Sequence, residues 1–500
     1  MRQTLFLIPH QIAGWPVFGF GWALWGWCAG SALLLAWLVR RQGWNAETRG
    51  FLPFMAMLGL VFWFVLPAVE LKPGDVLLFS VSLGPEGMLD SGEISAGLKA
   101  AFSTNNVPLT DNRSVVVVKT GVEWQIDDGT KHFTVKREND RLNISGDVVL
   151  GLPIRGYGMM LLLAVMTGVG LAVYRARQVG LNPDLIYSLA FTMFVGGIVG
   201  ARLFFVMEYW SEMRGPTWFG TVRNVLNFVQ GGLVVYGSLI GAGVSAVWFL
   251  QRRGLSILAV GDLIAPSLAI GLAIGRLGCL MNGCCYGGLC DQPWAITFPA
   301  KSWPAQLDES PPYQHQHRQG ILHGIRIDRN SAGQVIVAEV YEHGAAAQSN
   351  LKPGATIQTI NGYRIKSLAD AEQVLGAAGP EVELETDQGR AAWSLGELPD
   401  RSRPVQPTQV LAAINAGLLA LLSFAFYPFR RRDGQVIALL FTLYSVSRFL
   451  LEILRVDEGS FLGTGLTISQ NVSIALFLLA GGIWLYGARR GPETAELYQK

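Results

Sequence analysis

Nine long apolar runs, separated by polar and basic segments, dominate the pattern of hydrophobic positions along the chain. A helix that crosses a bilayer needs about 20 largely apolar residues, and each run is close to that length. The pattern therefore predicts nine membrane-spanning helices, placed at 17–39, 51–69, 157–174, 185–208, 231–250, 255–277, 409–427, 435–454 and 469–487.

Arginine residues mark every second loop between these runs. The loops that follow the odd-numbered runs contain Arg40 and Arg41, Arg175 and Arg177, Arg252 and Arg253, Arg430 to Arg432, and Arg489 and Arg490. Because cytoplasmic loops are enriched in Lys and Arg, the N-terminus is predicted outside and the C-terminus inside. The first ten residues lack the apolar core and cleavage site of a signal peptide, so we expect the first helix to stay as an anchor.

Composition agrees with a membrane protein. Of the 500 residues, 50% are hydrophobic and 15% charged, and the mean hydropathy is +0.33, which is too apolar for an ordinary soluble chain. The net charge of +2, with its basic residues in short loop clusters, argues against a nucleic-acid surface.

The predicted orientation places two long polar stretches, 70–153 and 278–407, outside the membrane. The first contains "SVVVVKTGVEWQI" and "KHFTVKREND", whose β-branched and partly alternating residues predict a small β-rich domain at 71–150. Two additional membrane helices precede it within 1–70.

The second polar stretch alternates strand-like and helix-like segments around Gly and Pro turns. Its elements "AAAQSNLKPGATIQTINGYRI" and "SLADAEQVL" resemble a bacterial PDZ domain at 316–398, although Ala355 stands where Asp is usual. In PDZ domains a peptide adds a strand beside the sheet, and backbone N–H groups hold its carboxylate. The resemblance assigns that loop to Leu322, His323, Gly324 and Ile325, with a peptide or protein as ligand. A spacer fold without a ligand is the alternative.

Polar and charged residues interrupt several apolar runs in their outer halves. They are Tyr157, Arg202, Tyr236, Arg276, Tyr444, Arg448 and Glu452. Tyr444, Arg448 and Glu452 are spaced four apart and share one helix face. An arginine fork donates two hydrogen bonds to phosphate oxygens, so we expect a phospholipid pocket open to the outer leaflet, whereas an ion path would use carbonyl or carboxylate oxygens.

A structural role is the alternative for any one of these residues, because Arg448 and Glu452 form a plausible helix-locking pair. Asp262 lies near the inner end of its helix, away from the others, and we expect it to be structural. The glycines of "VGGIVGAR" and "GSLIGAG" predict close helix contacts.

Four cysteines follow a C-x4-C-C-x4-C pattern at the outer end of the sixth run. In an oxidising compartment, one or two disulfides among Cys279, Cys284, Cys285 and Cys290 are the favoured interpretation. Zinc, which usually prefers C-x2-C pairs, and a catalytic thiol are the alternatives. We predict neither a metal ion nor a cofactor.

Several segments in order resemble the prolipoprotein diacylglyceryl transferase family. They are "LPIRGYGMMLL", "GGIVGARLFFVM", "GGLVVYGSLIG", "VGDLIAPSLAIGLAIGRLGCLMNGCCYG", "RPVQPTQV", "LYSVSRFLLEILR" and "SQNVS". The resemblance divides the transferase-like core into 151–310 and the last three helices within 399–500. It implies a polytopic all-α bundle in the bacterial inner membrane, with its N-terminus periplasmic and its C-terminus cytoplasmic.

The resemblance implies transfer of the diacylglyceryl group of phosphatidylglycerol to the cysteine thiol in the lipobox of a prolipoprotein signal peptide. Arg276 and Asn282 match the family signature, with Gly287 letting the backbone approach the headgroup. Arg448 would bind the phosphate and Glu452 would orient it. Tyr157, Arg202 and Tyr444 are assigned to substrate binding.

Some positions depart from the family pattern. Tyr236 replaces the family's histidine, Gln406 begins its H-P-S-Q segment, and Cys279 and Cys284 occupy the usual Asn and Glu positions. Tyr236 is therefore the candidate for the catalytic hydrogen-bonding group, and the proton acceptor stays open. A non-catalytic phospholipid-binding scaffold that recruits secreted peptides is the alternative function; a transporter is disfavoured because the charged sites lie mainly on one side.

Overall fold

The structure is a computed structural model that describes part of the chain. The residues described are 4–9, 11–44, 52, 55–69, 77–82, 116–120, 123–127, 132–138, 141–146, 151–215, 217–226, 234–300, 310–349, 351–376, 378–456 and 465–489. Packing divides the chain into two units, one built from 156–297 and 404–500 and the other from 2–155 and 298–403.

The second unit begins with short strands and two apolar helices. Strands β1 (Thr4–Pro9), β2 (Gln11–Ile12) and β3 (Trp15–Pro16) precede helix α1 (Trp22–Gln42). The shorter apolar helix α2 covers Met55–Val65. Val17 and Phe18 are buried and pack with Leu152.

The predicted β-rich region contains a five-stranded antiparallel sheet. Its strands are β4 (Leu77–Ser82), β5 (Val116–Thr120), β6 (Glu123–Asp127), β7 (His132–Glu138) and β8 (Arg141–Gly146). Their order in the sheet is β4-β8-β7-β6-β5, so most neighbours in sequence are neighbours in space. Strand β9 (Gly151–Arg155) pairs antiparallel with β1 and leads into the first bundle helix.

The first part of the bundle unit comprises four long apolar helices and one short helix. They are α3 (Gly156–Gln178), α4 (Pro183–Glu208), the short α5 (Trp218–Leu226) after a single turn at Trp210–Met213, α6 (Val235–Arg252) and α7 (Ile257–Asn282). Asn182 caps the start of α4 by accepting a hydrogen bond from the Asp184 N–H at 2.9 Å. Gly283, with φ 75°, ends α7 in the left-handed region that glycine adopts most easily.

The insert between the bundle segments is an α/β structure. Helix α8 (Pro311–Arg318) is followed by β10 (Ile325–Arg329), β11 (Val335–Val340), β12 (Ile357–Ile360), β13 (Tyr363–Arg364), helix α9 (Leu368–Gly376), β14 (Glu381–Thr386) and β15 (Gly389–Ser394). β10 pairs with β11, and the larger sheet has the order β13-β12-β14-β15. Ile325, Val337, Ile360, Leu375 and Leu384 are fully buried in its core.

Three helices complete the bundle: α10 (Thr408–Phe426), α11 (Gln435–Ile453) and α12 (Ile468–Arg489). The buried carboxylate of Asp262 accepts hydrogen bonds from the N–H groups of Gly434, Val436 and Ile437, at 2.8 to 2.9 Å. It therefore satisfies otherwise unpaired donors at the start of α11, and its predicted structural role is confirmed.

Glycines bring α4 and α6 into backbone contact. A Cβ atom on Gly200 would collide with the Gly237 carbonyl oxygen, and one on Gly241 would collide with the carbonyl of Gly196. The predicted close helix contact at these glycines is therefore confirmed.

Among the described residues, seven helices are long and apolar enough to cross a membrane. They correspond to the first, third, fourth and sixth to ninth predicted runs. The second run contains the shorter helix α2, and the fifth contains the 18-residue helix α6. The chain is thus a polytopic membrane protein, while the predicted number of nine spans stays a prediction.

Candidate active site

One face of α11 carries a buried ion-pair network. Arg448 pairs with Glu452 one turn further along, as their spacing predicted. Glu452 also accepts a hydrogen bond from Arg455 Nη1 at 3.1 Å and from Thr467 Oγ1 at 3.3 Å. Because two guanidinium groups share this one buried carboxylate, the network keeps excess positive charge.

Ser469 joins this network to another helix. Its hydroxyl oxygen, at the start of α12, accepts a hydrogen bond from Arg448 Nη2 at 2.8 Å. The Tyr236 hydroxyl, at the start of α6, lies 3.0 Å from the same oxygen. Ser469 therefore holds the Tyr236 hydroxyl next to Arg448.

Arg276 approaches the same face of α11 from α7. Its side chain donates a hydrogen bond to the Tyr444 hydroxyl, and Tyr444 lies one turn before Arg448. Tyr157, at the start of α3, interacts electrostatically with Arg276. A Cβ atom on Gly278 would lie 3.2 Å from the Tyr157 ring, so this glycine permits the close approach of α3 and α7.

The loop after α7 is held by Gln406, which precedes α10, and by the first residues of α10. Gly287 N–H donates to the Gln406 carbonyl at 3.0 Å, and the side chains of Thr408 and Gln409 donate to the carbonyls of Cys285 and Cys284 at 2.5 and 2.8 Å. A Cβ atom on Gly287 would lie 2.9 Å from atoms of Gln406, Leu454 and Thr408. Only glycine fits there, which explains the glycine of the signature. Asn282 is the last residue of α7.

Arg202 lies among backbone carbonyls. Its Nε donates to the Val225 carbonyl at 2.9 Å and its Nη2 to the Asn224 carbonyl at 2.7 Å. These acceptors belong to the last turn of α5, whose carbonyls have no partner within the helix. The contacts favour a structural role for this arginine, and its predicted headgroup contact stays a prediction.

None of the five cysteines, all of which are described, forms a disulfide in this structure. The Sγ atoms of Cys279, Cys284 and Cys285 lie within 4.8 Å of one another, while Cys290 is not a member of the group. The predicted disulfides stay a prediction.

The residues that the PDZ resemblance assigns to a peptide carboxylate are buried in the insert. His323 and Ile325 N–H donate to the Gly320 carbonyl at 3.0 and 3.1 Å, and Gly324 N–H donates to the Ile321 carbonyl at 3.2 Å. Leu322 lies in the same short helical turn. The N–H groups of His323, Gly324 and Ile325 are thus engaged within the chain, and the peptide-binding role of this loop stays a prediction.

Sequence reasoning missed several residues of this network. Ser469 and Gln409 belong to the quoted segments "SQNVS" and "RPVQPTQV", but their partners lie far away in sequence. Arg455 was missed because it follows the apolar run and looks like a loop charge. Its position three residues after Glu452 was the available signal.

The fold and the network define a polytopic membrane protein with an arginine-rich polar site at the ends of α3, α6, α7, α11 and α12. Its arginines can bind an anionic group, and phosphate chemistry suits them best. The family model described as prolipoprotein diacylglyceryl transferase matches residues 147–486. The chain belongs to this family, as the sequence resemblance indicated.

The chain is similar to curated proteins of the family. The phosphatidylglycerol–prolipoprotein diacylglyceryl transferase of Rhodopirellula baltica is 32% identical over 530 aligned positions, which cover 99% of this chain and 91% of that protein. The transferase of Gloeobacter violaceus is 25% identical over 69% of this chain and 93% of its own length. The protein named transferase 2 in Clostridium perfringens is 23% identical over 70% and 97%, respectively.

Proposed function

We propose that this protein transfers the diacylglyceryl group of phosphatidylglycerol to the lipobox cysteine thiol of a prolipoprotein. The observation that carries the proposal is the Tyr236–Ser469–Arg448–Glu452 network together with Arg276 on the same face of α11. The relatives described above bear the name of this activity, and family membership supports the same reaction here.

In the proposed step, the substrate sulfur attacks the glyceryl carbon bonded to the phosphate oxygen. A carbon–sulfur bond forms, the carbon–oxygen bond breaks, and glycerol phosphate leaves with both bonding electrons. The phosphate gains a negative charge, which Arg448 and Arg276 stabilise through hydrogen bonds and charge. Glu452 and Ser469 hold Arg448 in position, so the fork does not have to reorganise during the reaction.

The proton of the thiol leaves before the attack. A free thiol has a pKa of about 8.5, so a few per cent is thiolate at neutral pH, and nearby guanidinium groups raise that fraction. Water then accepts the proton, and a membrane-embedded histidine is not required. Tyr236 acts as a hydrogen-bond donor to the phosphate or the thiolate, with Ser469 fixing its hydroxyl.

Substrate contacts complete the proposal. Tyr157 and Tyr444 flank Arg276 and contact the lipid, while Asn282 and Gly287 shape the backbone at the headgroup. Arg202 stabilises the end of α5 through its hydrogen bonds to the Asn224 and Val225 carbonyls. A contact between Arg202 and the lipid headgroup is a further proposal.

The location proposed for the reaction is the outer face of the bacterial inner membrane. Arg175 lies in the last turn of α3 and Arg430 follows α10, and their guanidinium carbons lie 3.9 and 3.7 Å from the centroid of the same Tyr427 ring. A cluster of cations at those helix ends supports a cytoplasmic side there. The N-terminus and the insert are then periplasmic.

We further propose that 316–398 is a PDZ-like domain and that 71–150 is a separate β-rich domain. The order of strands and helix α9 in the insert supports a PDZ-like fold. Binding of a peptide carboxylate at Leu322 to Ile325 would require the amides to leave the Gly320 and Ile321 carbonyls. In this proposal the insert recruits secreted peptides, which is a role separate from the transfer reaction.

The test supplies purified protein with phosphatidylglycerol and a lipobox peptide, followed by mass spectrometry of the peptide. The thioether adduct is expected, and a peptide with serine in place of cysteine is the matched control. Phosphatidylethanolamine in a parallel reaction tests the lipid donor. If folded protein gives no adduct, the result would support the scaffold function. The cysteines at positions 279 and 284, where the family resemblance implies Asn and Glu, favour that alternative.

A further inference from the structure

Three thiols converge where α7 ends. The Sγ atoms of Cys279, Cys284 and Cys285 lie within 4.8 Å of one another, and all three residues are half-buried. The Cys284 thiol also donates a hydrogen bond to the Cys279 carbonyl at 3.8 Å. The sulfur atoms therefore face a common point.

The backbone is held in the conformation that brings these sulfurs together. Cys285 adopts φ 60°, a left-handed conformation that costs a residue with a side chain about 1–2 kcal/mol. Thr408 and Gln409 hold the carbonyls of Cys285 and Cys284, and Cys284 N–H bonds to the Cys279 carbonyl at 3.2 Å. Contacts from α10 thus compensate for the strain, which is typical of functional sites.

Two guanidinium groups act on the cluster. Arg276 and Arg455 both interact electrostatically with Cys285, and Arg276 also interacts with Cys279. Three thiolates around a divalent cation carry one net negative charge, which these guanidinium groups can balance. Within the described residues, the group contains no carboxylate or imidazole, and ligands that are all thiolate select soft metal ions.

The geometry points to a three-thiolate site, formed by Cys279, Cys284 and Cys285, for a thiophilic d10 cation, Zn²⁺ or Cu⁺. A Zn–S bond of about 2.3 Å places sulfur atoms about 3.8 Å apart in a tetrahedron, so side-chain adjustments of about 1 Å suffice. A disulfide would use two of the thiols and leave the third without a role. The bound ion would fasten the loop that contains Gly287 to the end of α7, where Asn282 lies. This inference stands independently of the proposed transferase activity.

Metal binding is tested on the full-length protein in detergent, purified under reducing, anaerobic conditions and stripped with a chelator. One equivalent of Zn²⁺ or Cu⁺ per chain is expected after separate equilibrations, and competition between the two ions identifies the preferred one. Co²⁺, as a spectroscopic probe for the Zn²⁺ site, is expected to give a thiolate-to-metal charge-transfer band.

Serine variants assign the ligands. Cys279→Ser, Cys284→Ser and Cys285→Ser should each weaken metal retention by at least about tenfold and reduce the charge-transfer band. Cys290→Ser and Cys28→Ser are the matched controls and should bind like the unmodified protein. Retention that is equal in all five variants, or lost only with Cys290→Ser, would overturn the assignment.

A measurement without substitutions covers the case in which a variant does not fold. Metal-loaded protein is treated with a maleimide, and the modified cysteines are located by mass spectrometry. Zn²⁺ or Cu⁺ should protect Cys279, Cys284 and Cys285 while Cys28 and Cys290 react as in the metal-free protein. Equal labelling with and without metal, or a Cys279–Cys284 disulfide as the only form in reduced, metal-treated samples, would refute the site.

Discussion

Arg448 on α11 and Ser469 on α12 are joined by a hydrogen bond of 2.8 Å between Nη2 and the serine hydroxyl oxygen. The same oxygen lies 3.0 Å from the Tyr236 hydroxyl on α6. One serine thus connects Arg448, the main candidate phosphate ligand, with Tyr236. Glu452 holds the other side of the Arg448 guanidinium. The positions of two reactive groups are therefore set by side chains that need not touch substrate.

Replacing Arg448 tests phosphate stabilisation. Arg448→Ala should lower kcat/KM by about 10²–10³-fold, as expected for loss of a preorganised donor to a developing negative charge. Arg448→Lys should give an intermediate rate, because it keeps the charge but loses the planar fork. Lipobox-peptide transfer is measured by mass spectrometry.

Arg455 remains beside Glu452 in these variants, so the carboxylate keeps an ion-pair partner. The exposed Arg326→Ala change in the insert is the matched control and should leave transfer unchanged. Full activity of Arg448→Ala would remove this residue from the mechanism.

Ser469→Ala tests the positioning of Tyr236 and Arg448. Loss of the hydroxyl should lower kcat about tenfold with a smaller effect on KM, since a hydrogen bond to a charged group contributes about 1.5–3 kcal/mol. Ser469→Thr should restore much of the rate because it retains the hydroxyl. Ser473→Ala, one turn along α12, removes a hydroxyl that bonds to the Ser469 carbonyl and is the control for helix effects. Equal kcat losses in both alanine variants would indicate a general packing defect.

Gly287→Ala tests the close approach of the signature loop. The added methyl group would lie 2.9 Å from Gln406, Leu454 and Thr408 atoms, so we expect destabilisation of about 1–3 kcal/mol. Thermal unfolding in detergent measures the effect. Gly275→Ala is the matched comparison and should be tolerated, because an added methyl group there would meet no described heavy atom within 4 Å beyond its own helix backbone and chain neighbours. An unchanged melting temperature for Gly287→Ala would contradict the packing argument.

His323 predicts a pH dependence of the insert. Burial, with the neighbouring His317 adding to the effect, lowers the pKa of His323 from its usual 6.5 to about 4. Neither of its ring nitrogens has a hydrogen-bond partner in the described part of the chain. Between pH 6.5 and 4 the unfolded chain binds a proton that the folded insert does not. The free energy of unfolding of the insert should therefore keep its full value above pH 6.5 and fall by about 3 kcal/mol toward pH 4.

Hydrogen exchange in β10 and β14 of the full-length protein, corrected for intrinsic exchange rates, measures this loss. His323→Leu should reduce the slope with pH, whereas His343→Leu, at an exposed position, should preserve it. Identical slopes in the two variants would show that His323 does not cause the pH dependence.

Much of the bundle could be predicted from local pattern. Apolar length predicted helices at α3, α4, α7, α10, α11 and α12, because a helix that faces lipid must be apolar over its whole length. The four-residue spacing of Arg448 and Glu452 predicted their ion pair, because helix geometry places such residues side by side.

The chemistry of the cysteines could not be read from spacing. The C-x4-C-C-x4-C pattern favoured disulfides over zinc, because it contains no C-x2-C pair. Such spacing identifies metal ligands only when they lie on one turn of the chain. The left-handed Cys285 and the hydrogen bonds from Thr408 and Gln409 bring three sulfurs together and leave Cys290 outside the group. The contacts of Arg202 could not be predicted either, because a hydropathy profile does not show that its side chain meets carbonyl groups of α5.

The sequence by itself determined the membrane helices, the family and the face of α11 that carries Tyr444, Arg448 and Glu452. Hydropathy, motifs and helical spacing are all local features of the chain, so no tertiary contact is needed to recognise them. Only the tertiary structure decided that Ser469 bridges Arg448 and Tyr236, that Arg455 shares Glu452, and that the amides of 323–325 are engaged within the insert. These pairings join residues that are mostly far apart in sequence or depend on how a turn closes, and their geometry is fixed by helix packing rather than by local residue pattern.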